Sequence, residues 1–226
     1  MQSKLPDVGT TIFAIMSKMA AEHNAINLSQ GFPDFPLDPT LVNLVSKAMQ
    51  EGHNQYAPMP GLPALRNVIA EVIYSTYQKK VNPETEITVT AGGTQALYAI
   101  LQALVHTGDE VIVFDPAYDS YNPAIRLSGG VPVHINLHAP SFQIDWNEVE
   151  NKITSRTKII MVNTPHNPSG AVLSEEDILS LEKLVVKHNL ILLSDEVYER
   201  IIFDNKKHYS ALEILFMPQV GKLVTL

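Results

Sequence analysis

The sequence predicts an α/β fold in which a mainly parallel sheet is sandwiched by helices. Two observations lead to this prediction. From about residue 86 onward, short β-branched or apolar runs alternate with segments whose apolar side chains recur at helical spacing. Glycine-rich and polar motifs follow several of these runs, at the edge where parallel sheets bind ligands. With 226 residues, 45% of them hydrophobic and 18% charged, the chain suffices for one large domain and is not wholly disordered.

The N-terminal part of the chain lacks this alternation. The first 45 residues are predicted to form an irregular, proline-rich arm with one short helix over residues 12–23. A longer helix is predicted over residues 62–80, because apolar side chains recur there at helical spacing. Pro63 lies at its start, where the missing N–H of proline is tolerated.

The alternating region begins with a β-branched strand at residues 86–91. Further strands are predicted where the side chains are apolar, at 110–114, 131–137, 158–162, 190–193 and 222–226. Helices are predicted between them, at 94–106, 119–127, 145–153 and 174–188. The last helix begins with Ser174-Glu175-Glu176-Asp177, a sequence typical of a capping box. Strands separated by helices run parallel, so their carboxyl ends meet at one edge of the sheet.

Charge and composition exclude several classes of function. The chain carries 16 Lys and Arg against 24 Asp and Glu, a net charge of −8, which excludes a broad basic surface for nucleic acid. It has no cysteine, which excludes a disulfide scaffold, thiol catalysis and a cysteine-ligated metal. No signal peptide or membrane span is predicted, so we expect a soluble, cytoplasmic protein without a membrane partner. His134 and His138 lie in and after a predicted strand rather than on a helix, and no metal site is predicted.

The first motif at a strand end is Gly92-Gly93-Thr94-Gln95, where the strand at 86–91 meets the following helix. Glycines let the backbone approach a ligand closely, and the free N–H groups of a helix N-terminus favour a phosphate. The motif matches neither of the common nucleotide-binding patterns. From the residues alone, a phosphate site and an ordinary strand-to-helix turn both stay open.

Three further motifs follow the later strands. Tyr118, in Asp115-Pro116-Ala117-Tyr118, offers either a flat ring at the sheet edge or a packed surface tyrosine. The segment 163–170 contains two prolines and a glycine that fix an irregular loop, and two asparagines that can donate and accept. Asp195 ends a buried strand and begins Asp195-Glu196-Val197-Tyr198. Because a buried carboxylate is costly alone, Asp195 is expected either to face a protonated heterocyclic nitrogen or to cap a helix.

In their order along the chain, these motifs resemble those of class I/II aminotransferases of the pyridoxal-phosphate-dependent fold type I. The most specific pieces are Asn-Gln-Tyr-Ala-Pro at 54–58, Pro-Gly-Leu-Pro-Ala-Leu-Arg at 60–66, Thr-Pro-His-Asn-Pro-Ser-Gly at 164–170 and Ser-Asp-Glu-Val-Tyr at 194–198. With Ser-Gln-Gly-Phe-Pro-Asp-Phe at 29–35, they are most similar to the branch that holds methionine aminotransferases and kynurenine/glutamine transaminases. The resemblance covers nearly the whole chain.

The resemblance implies a site for pyridoxal 5'-phosphate. Gly93, Thr94 and Gln95 would hold its phosphate at the helix N-terminus. Tyr118 would stack on the pyridine ring, and Asp195 would pair with the pyridinium nitrogen and keep it protonated. The fold implied is the large domain of this family, a mainly parallel sheet between helices.

The resemblance also assigns the substrate and the partner. Asn167 and Tyr198 would bond the phenolic oxygen of the ring, with Asn163 supporting them. Gly31 and Asn167 would bind the substrate carboxylate. Tyr56 would reach the cofactor phosphate of a neighbouring subunit, which implies a homodimer.

The sequence departs from the family in one respect. The Schiff-base lysine of the family lies in a Ser-x-x-Lys segment followed by Gly-x-Arg-x-Gly, and no such composite occurs here. The lysine is expected beyond Leu226, so no catalytic residue is assigned in this chain, and Lys222 lies at the wrong end of the last predicted strand. The expected division is an arm and part of a small domain at 1–45, an incomplete large domain at 46–226, and an absent C-terminal small domain.

The activity expected of the complete enzyme is transfer of an amino group between an amino acid and a 2-oxo acid. Phe32, Phe35 and Tyr118 are expected around the pocket, and no arginine is expected to meet a side-chain carboxylate. Methionine, glutamine or aromatic amino acids are therefore the expected donors. Three alternatives stay open: a carbon–sulfur lyase of the same fold, a non-enzymatic aminotransferase-like sensor domain, and an inactive fragment, as the 226 residues alone are expected to be.

Overall fold

A five-stranded parallel sheet forms the centre of the protein. The computed structural model describes residues 2–31, 35–214 and the backbone of 223–225. The strands are β1 (Glu110–Asp115), β2 (Val131–Asn136), β3 (Thr157–Asn163), β4 (Ile191–Asp195) and β5 (Leu223–Thr225). They lie in the order β2-β1-β3-β4-β5, and every neighbouring pair is parallel. The predicted parallel sheet is therefore confirmed.

Seven helices are found in the described residues. They are α1 (Ile12–Glu22), α2 (Pro39–Gln50), α3 (Pro63–Tyr77), α4 (Gly93–Leu104), α5 (Tyr121–Leu127), α6 (Trp146–Lys152) and α7 (Glu175–His188), with a short 3₁₀ turn at Ala211–Glu213. The predicted capping box begins α7. Ser174 Oγ accepts from the N–H of Asp177, and the Asp177 carboxylate accepts from the N–H of Ser174.

The core has two layers, one on each face of the sheet. Alternate residues of β1 point to opposite faces, as a strand requires. Ile112 belongs to the layer that contains Leu181 and Val185 of α7. Val111 belongs to the layer that contains Leu101 of α4, together with side chains of α5. Helices therefore cover both faces, as the sequence predicts.

Two expectations about the N-terminal half were wrong. Residues 86–91 form no strand: the Val89 N–H donates to the carbonyl of Pro60, 2.9 Å away, and no described strand lies beside the segment. A β-branched run forms a strand only where a neighbouring strand takes its hydrogen bonds. Helix α2 covers residues 39–50, although the chain up to residue 45 was expected to be irregular outside the short helix at 12–23. Asp38 caps this helix by accepting from the N–H of Thr40, and Pro39 lies in its first turn.

Candidate active site

The polar motifs meet at the carboxyl edge of the sheet. Asp195 ends β4, and Asn163 ends the adjacent β3, so parallel pairing places the two residues side by side. The Asn163 Nδ2 group donates to the backbone carbonyl of Asp195 at 3.0 Å, and the Thr164 N–H donates to the same oxygen at 3.0 Å. These two hydrogen bonds hold the C-terminal end of β4 beside the C-terminal end of β3.

The Asp195 carboxylate is buried, with the residue 8% exposed. The hydroxyl of Tyr121 donates to its Oδ2 at 2.6 Å, and the N–H of Val197 lies 3.3 Å from its Oδ1. Residues 197–200 form a turn, so Asp195 caps no helix, and the helix-cap alternative from the sequence is wrong. Among the described residues, Oδ1 of Asp195 has the long contact to Val197 and keeps capacity to accept a second donor.

Asn163 also organises the loop that follows β3. Its Oδ1 accepts from the N–H of Asn167 at 2.7 Å, which turns the chain back on itself. The Asn167 Nδ2 group donates to the hydroxyl of Tyr198, 3.4 Å away. Asn163, Asn167, Asp195 and Tyr198 are therefore brought together as the sequence analysis expected.

His166 ties this loop to the turn that carries Tyr118. Its Nδ1 lies 2.7 Å from Ser169 Oγ, and a hydrogen bond joins the ring to the backbone of Pro116. Burial lowers the pKa of His166, and the bond to Pro116 opposes this effect. Tyr118 lies two residues beyond Pro116, in edge-to-face contact with Tyr121, with ring centroids 5.7 Å apart.

The Gly92–Gln95 segment forms the start of α4, a helix whose N-terminus has no side-chain cap. Gly92 has φ of +92°, a conformation that favours glycine, and no side chain caps the helix. The first N–H to bond within the helix is that of Ala96, so the amides of the first turn lack intrahelical acceptors. A Cβ added to Gly93 would meet nothing within 4 Å, and Thr94 is exposed. The Gln95 side chain closes the turn, because its Oε1 accepts from the N–H of Ala91 at 2.6 Å.

Two of the expected residues are not joined to this cluster. Gly31 is exposed, and an added Cβ would meet no atom within 4 Å. Tyr56 is fully exposed. Phe35 is 74% exposed, while Phe32 and Lys222 lie outside the described residues.

Sequence reasoning missed Tyr121. The side chain is 4% exposed, and its hydroxyl meets a carboxylate 74 residues away along the chain. Burial, followed by the Asp195 charge and hydrogen bond, raises the pKa of Tyr121, so the hydroxyl stays protonated and acts as a donor. Its position three residues after Tyr118 was a signal, because such spacing places two side chains on one side of a helical turn.

A second buried hydrogen-bond network, which the sequence also did not predict, includes the residues on either side of Asp195 in the chain. Glu196 Oε1 accepts from Ser194 Oγ at 2.7 Å and from the N–H of Ala211 at 2.9 Å, and its Oε2 lies 3.0 Å from His208 Nε2. Burial raises the pKa of Glu196, but these hydrogen bonds outweigh burial and hold the pKa below its usual range. Glu199 joins the group and accepts from Tyr77.

Three ligand atoms of Glu196, Glu199 and His208 lie within 4.8 Å of one another, a group that the sequence analysis did not foresee. The side chains already engage one another and their neighbours through the hydrogen bonds above. We therefore describe the group as a hydrogen-bonded anchor for the segment that follows β4.

The described arginines are engaged elsewhere. The Arg66 guanidinium donates to the carbonyls of Gly61 and Pro83, and Arg126 pairs with Asp7 through both its terminal nitrogens. The remaining two arginines form ion pairs, Arg156 with Glu110 and Arg200 with Glu199. As the chain contains no other arginine, none of its arginines is free at the Asp195 cluster.

Comparison with known proteins decides the family. The family described as "Aminotransferase class I and II" matches residues 23–226. The chain belongs to the class I and II aminotransferases. This family depends on pyridoxal 5'-phosphate, as the resemblance in the sequence indicated. No described helix is long and apolar enough to cross a membrane.

Individual relatives agree with the branch inferred from the motifs. A methionine aminotransferase of Escherichia coli (strain K12) is 49% identical over 211 residues, which are 93% of this chain and 55% of that protein. Kynurenine–oxoglutarate transaminase 3 of Rattus norvegicus is 37% identical, over 91% of this chain and 48% of the relative. The chain thus spans about half the length of these curated relatives.

A solved structure also matches the fold. The structure of YbdL from Escherichia coli, described as identifying a methionine aminotransferase function, superposes with a TM-score of 0.93 at 46% identity. The match covers 100% of this chain and 59% of that one. The fold expected from the sequence, that of the family's large domain, is confirmed.

Proposed function

We propose that the whole protein of which this chain is part is an aminotransferase that moves an amino group between an amino acid and a 2-oxo acid. The observation that carries the proposal is the buried Asp195 carboxylate at the end of β4, fixed by Tyr121 and next to the Asn167–Tyr198 pair. An anionic acceptor at this depth is suited to a cationic heterocyclic ring. Family membership supplies the cofactor that carries such a ring.

The residues present fit pyridoxal 5'-phosphate. We propose that the free N–H groups of Gly93, Thr94 and Gln95 hold its phosphate, since an uncapped helix N-terminus attracts an anion. Tyr118 offers a ring face at the same edge, held edge-on by Tyr121. When bound, the cofactor supplies an electron sink for the negative charge that develops at the substrate α-carbon.

The protein's own groups set the protonation of that ring. Asp195 keeps the proton on the ring nitrogen, because a carboxylate facing the nitrogen stabilises its cationic form. Asn167 and Tyr198, which are already in contact, would donate to the phenolic oxygen of the ring. Asn163 holds Asn167 in place by accepting from its backbone N–H. Burial of Asp195 strengthens these interactions, because water does not compete for them.

We propose methionine, glutamine or an aromatic amino acid as the donor. The methionine aminotransferase of E. coli is 49% identical, and every arginine of the chain is already bonded to another group of the protein. A donor with a side-chain carboxylate would therefore lack a free arginine as its partner in this part of the protein. Gly31 and Asn167 are proposed to meet the substrate carboxylate.

The remaining parts of the proposal concern assembly and the reactive lysine. We propose a cytoplasmic homodimer in which the fully exposed Tyr56 reaches the cofactor phosphate of the neighbouring subunit. The proposed domains are an arm with part of a small domain at 1–45 and the cofactor-binding large domain from residue 46. We place the Schiff-base lysine outside these 226 residues, because the motif expected around it is absent from them.

A donor panel tests the activity. The full-length protein, loaded with pyridoxal 5'-phosphate, is assayed with methionine, glutamine, phenylalanine and aspartate against a 2-oxo acid, and the new amino acid is measured. We expect methionine, glutamine or phenylalanine to be fastest. Aspartate clearly fastest would contradict the donor proposal. Pyruvate and ammonia from a cysteine conjugate, without a new amino acid, would contradict the aminotransferase proposal and indicate the carbon–sulfur lyase.

A further inference from the structure

We propose that Tyr121 is a positioning residue that makes the site selective for a cofactor with a protonated ring nitrogen. The inference rests on the proposed function, because it concerns the same site. Tyr121 would act through two neighbours, the Asp195 carboxylate and the Tyr118 ring, without contacting the reacting atoms itself.

The first step of the argument is the bond to Asp195. Tyr121 Oη lies 2.6 Å from Asp195 Oδ2, and both residues are more than nine-tenths buried. The hydroxyl stays protonated in this environment and can only donate to the carboxylate. This short bond uses one acceptor position of Oδ2. Among the described residues, Oδ1 has the 3.3 Å contact to the Val197 N–H, which leaves it the more open oxygen for a ring nitrogen.

The second step is the contact with Tyr118. The two rings meet edge to face with an interplanar angle of 74°, and the Tyr121 N–H donates to the Tyr118 carbonyl at 3.1 Å. The ring and the backbone of Tyr121 therefore both fix the position of the Tyr118 ring. One side chain sets the angle between the stacking ring and the carboxylate.

The third step is the rigidity of Tyr121 itself. The residue begins α5, and it packs in the core layer with Ala124, Ile125 and Leu97. A ring fixed by packing holds its hydroxyl in one place, so the carboxylate is oriented before a ligand arrives. Pre-orientation of this kind improves binding by removing the cost of ordering the group later.

The test uses binding rather than turnover. The probes are pyridoxamine 5'-phosphate, which needs no lysine adduct, and its analogue with carbon in place of the ring nitrogen. Affinities of the full-length protein for both probes are measured by equilibrium dialysis. The variants are Tyr121→Phe, which loses only the hydroxyl, and Tyr74→Phe, a matched control on the exposed face of α3.

We expect Tyr121→Phe to bind pyridoxamine 5'-phosphate about tenfold more weakly, since a hydrogen bond to a charged group is lost. Its affinity for the nitrogen-free analogue should match that of the unchanged protein, which also shows that the variant is folded. Tyr74→Phe should leave both affinities unchanged. The selectivity for the ring nitrogen is thus the quantity that Tyr121 controls.

Each other outcome counts against the inference in a distinct way. If Tyr121→Phe weakens both probes equally, or keeps the full preference for the ring nitrogen, Tyr121 has a packing role only and the inference is overturned. If the unchanged protein shows no preference for the ring nitrogen, the role of Asp195 in the proposed function fails, and the inference fails with it.

Discussion

The two ends of the candidate site are built differently. The proposed nitrogen end, formed by Asp195, Tyr121 and Asn163, is buried, and its polar groups bond to one another. The proposed phosphate end, formed by Gly92–Gln95, is exposed and offers unbonded backbone amides at the start of α4. One end is organised before any ligand binds, whereas the other depends on the ligand for its partners.

Because of this difference, substitutions at the two ends should have different effects on stability and on binding. At the nitrogen end, a side chain takes part in both the fold and the chemistry, so its loss should affect stability as well as function. At the phosphate end, side chains contribute little to the fold, and their loss should affect binding alone. The predictions below separate these two kinds of effect.

The largest effect is expected for Asp195→Ala in the full-length, cofactor-loaded protein. Transamination should fall by several orders of magnitude, because the ring nitrogen loses the group that keeps it protonated. The measurement is the steady-state rate with the fastest donor. Asp145→Ala is the control, since the hydrogen bonds of the Asp145 side chain go to the first turn of α6 and not to the Asp195 cluster. Near-normal turnover of Asp195→Ala with cofactor bound would reject the assignment.

Next in size is the effect of Glu196→Ala on stability. Removing this buried carboxylate leaves His208, Ser194 and the Ala211 N–H without their acceptor, so the free energy of unfolding should fall by about 3 kcal/mol. Urea unfolding of the variant measures this loss. Glu71→Ala, on the exposed face of α3, should cost less than about 0.5 kcal/mol. Equal losses for the two variants would show that the anchor behind Asp195 contributes nothing.

A smaller effect, on binding rather than on stability, is expected for Thr94→Ala. Affinity for pyridoxamine 5'-phosphate should fall about tenfold, because the exposed Thr94 hydroxyl, which is proposed to donate to the phosphate beside the backbone N–H groups, is lost. The free energy of unfolding should change by less than about 0.5 kcal/mol. The matched control is Thr40→Ala, because Thr40 occupies the same position in the first turn of α2 that Thr94 occupies in α4. A large loss of stability without a loss of affinity would reverse the contrast between the two ends.

The smallest effect is a dependence of stability on pH. The folded protein holds the pKa of His166 below its ordinary value of 6.5, so the unfolded chain takes up a proton first as the pH falls. This contribution is fully present above pH 6.5 and is lost as the pH falls through the folded pKa. Urea unfolding at a series of pH values should show this decline, and His166→Gln should lessen it. A decline unchanged by the substitution would exclude His166 as its source.

Much of the fold followed from local sequence patterns. The capping box at Ser174 and Asp177 was correct, because the interacting groups lie three residues apart and form with the helix itself. The buried strands were predicted correctly, because a short apolar run has few stable positions in a folded protein other than a buried strand. The helix at 39–50 was missed although its signals, Asp38 and Pro39, are local; the neighbouring prolines were weighted as loop signals instead.

What the sequence by itself determined was the order of the motifs, their places at the strand ends and, through the resemblance, the family. Only the tertiary structure decided which groups meet, such as Tyr121 with Asp195 across 74 residues and Glu196 with His208. It also decided that residues 86–91 have no described strand beside them. The reason is physical. A hydrogen bond between distant residues depends on the register of the strands and the packing of the helices. Neither can be predicted from the residue pattern of a short segment.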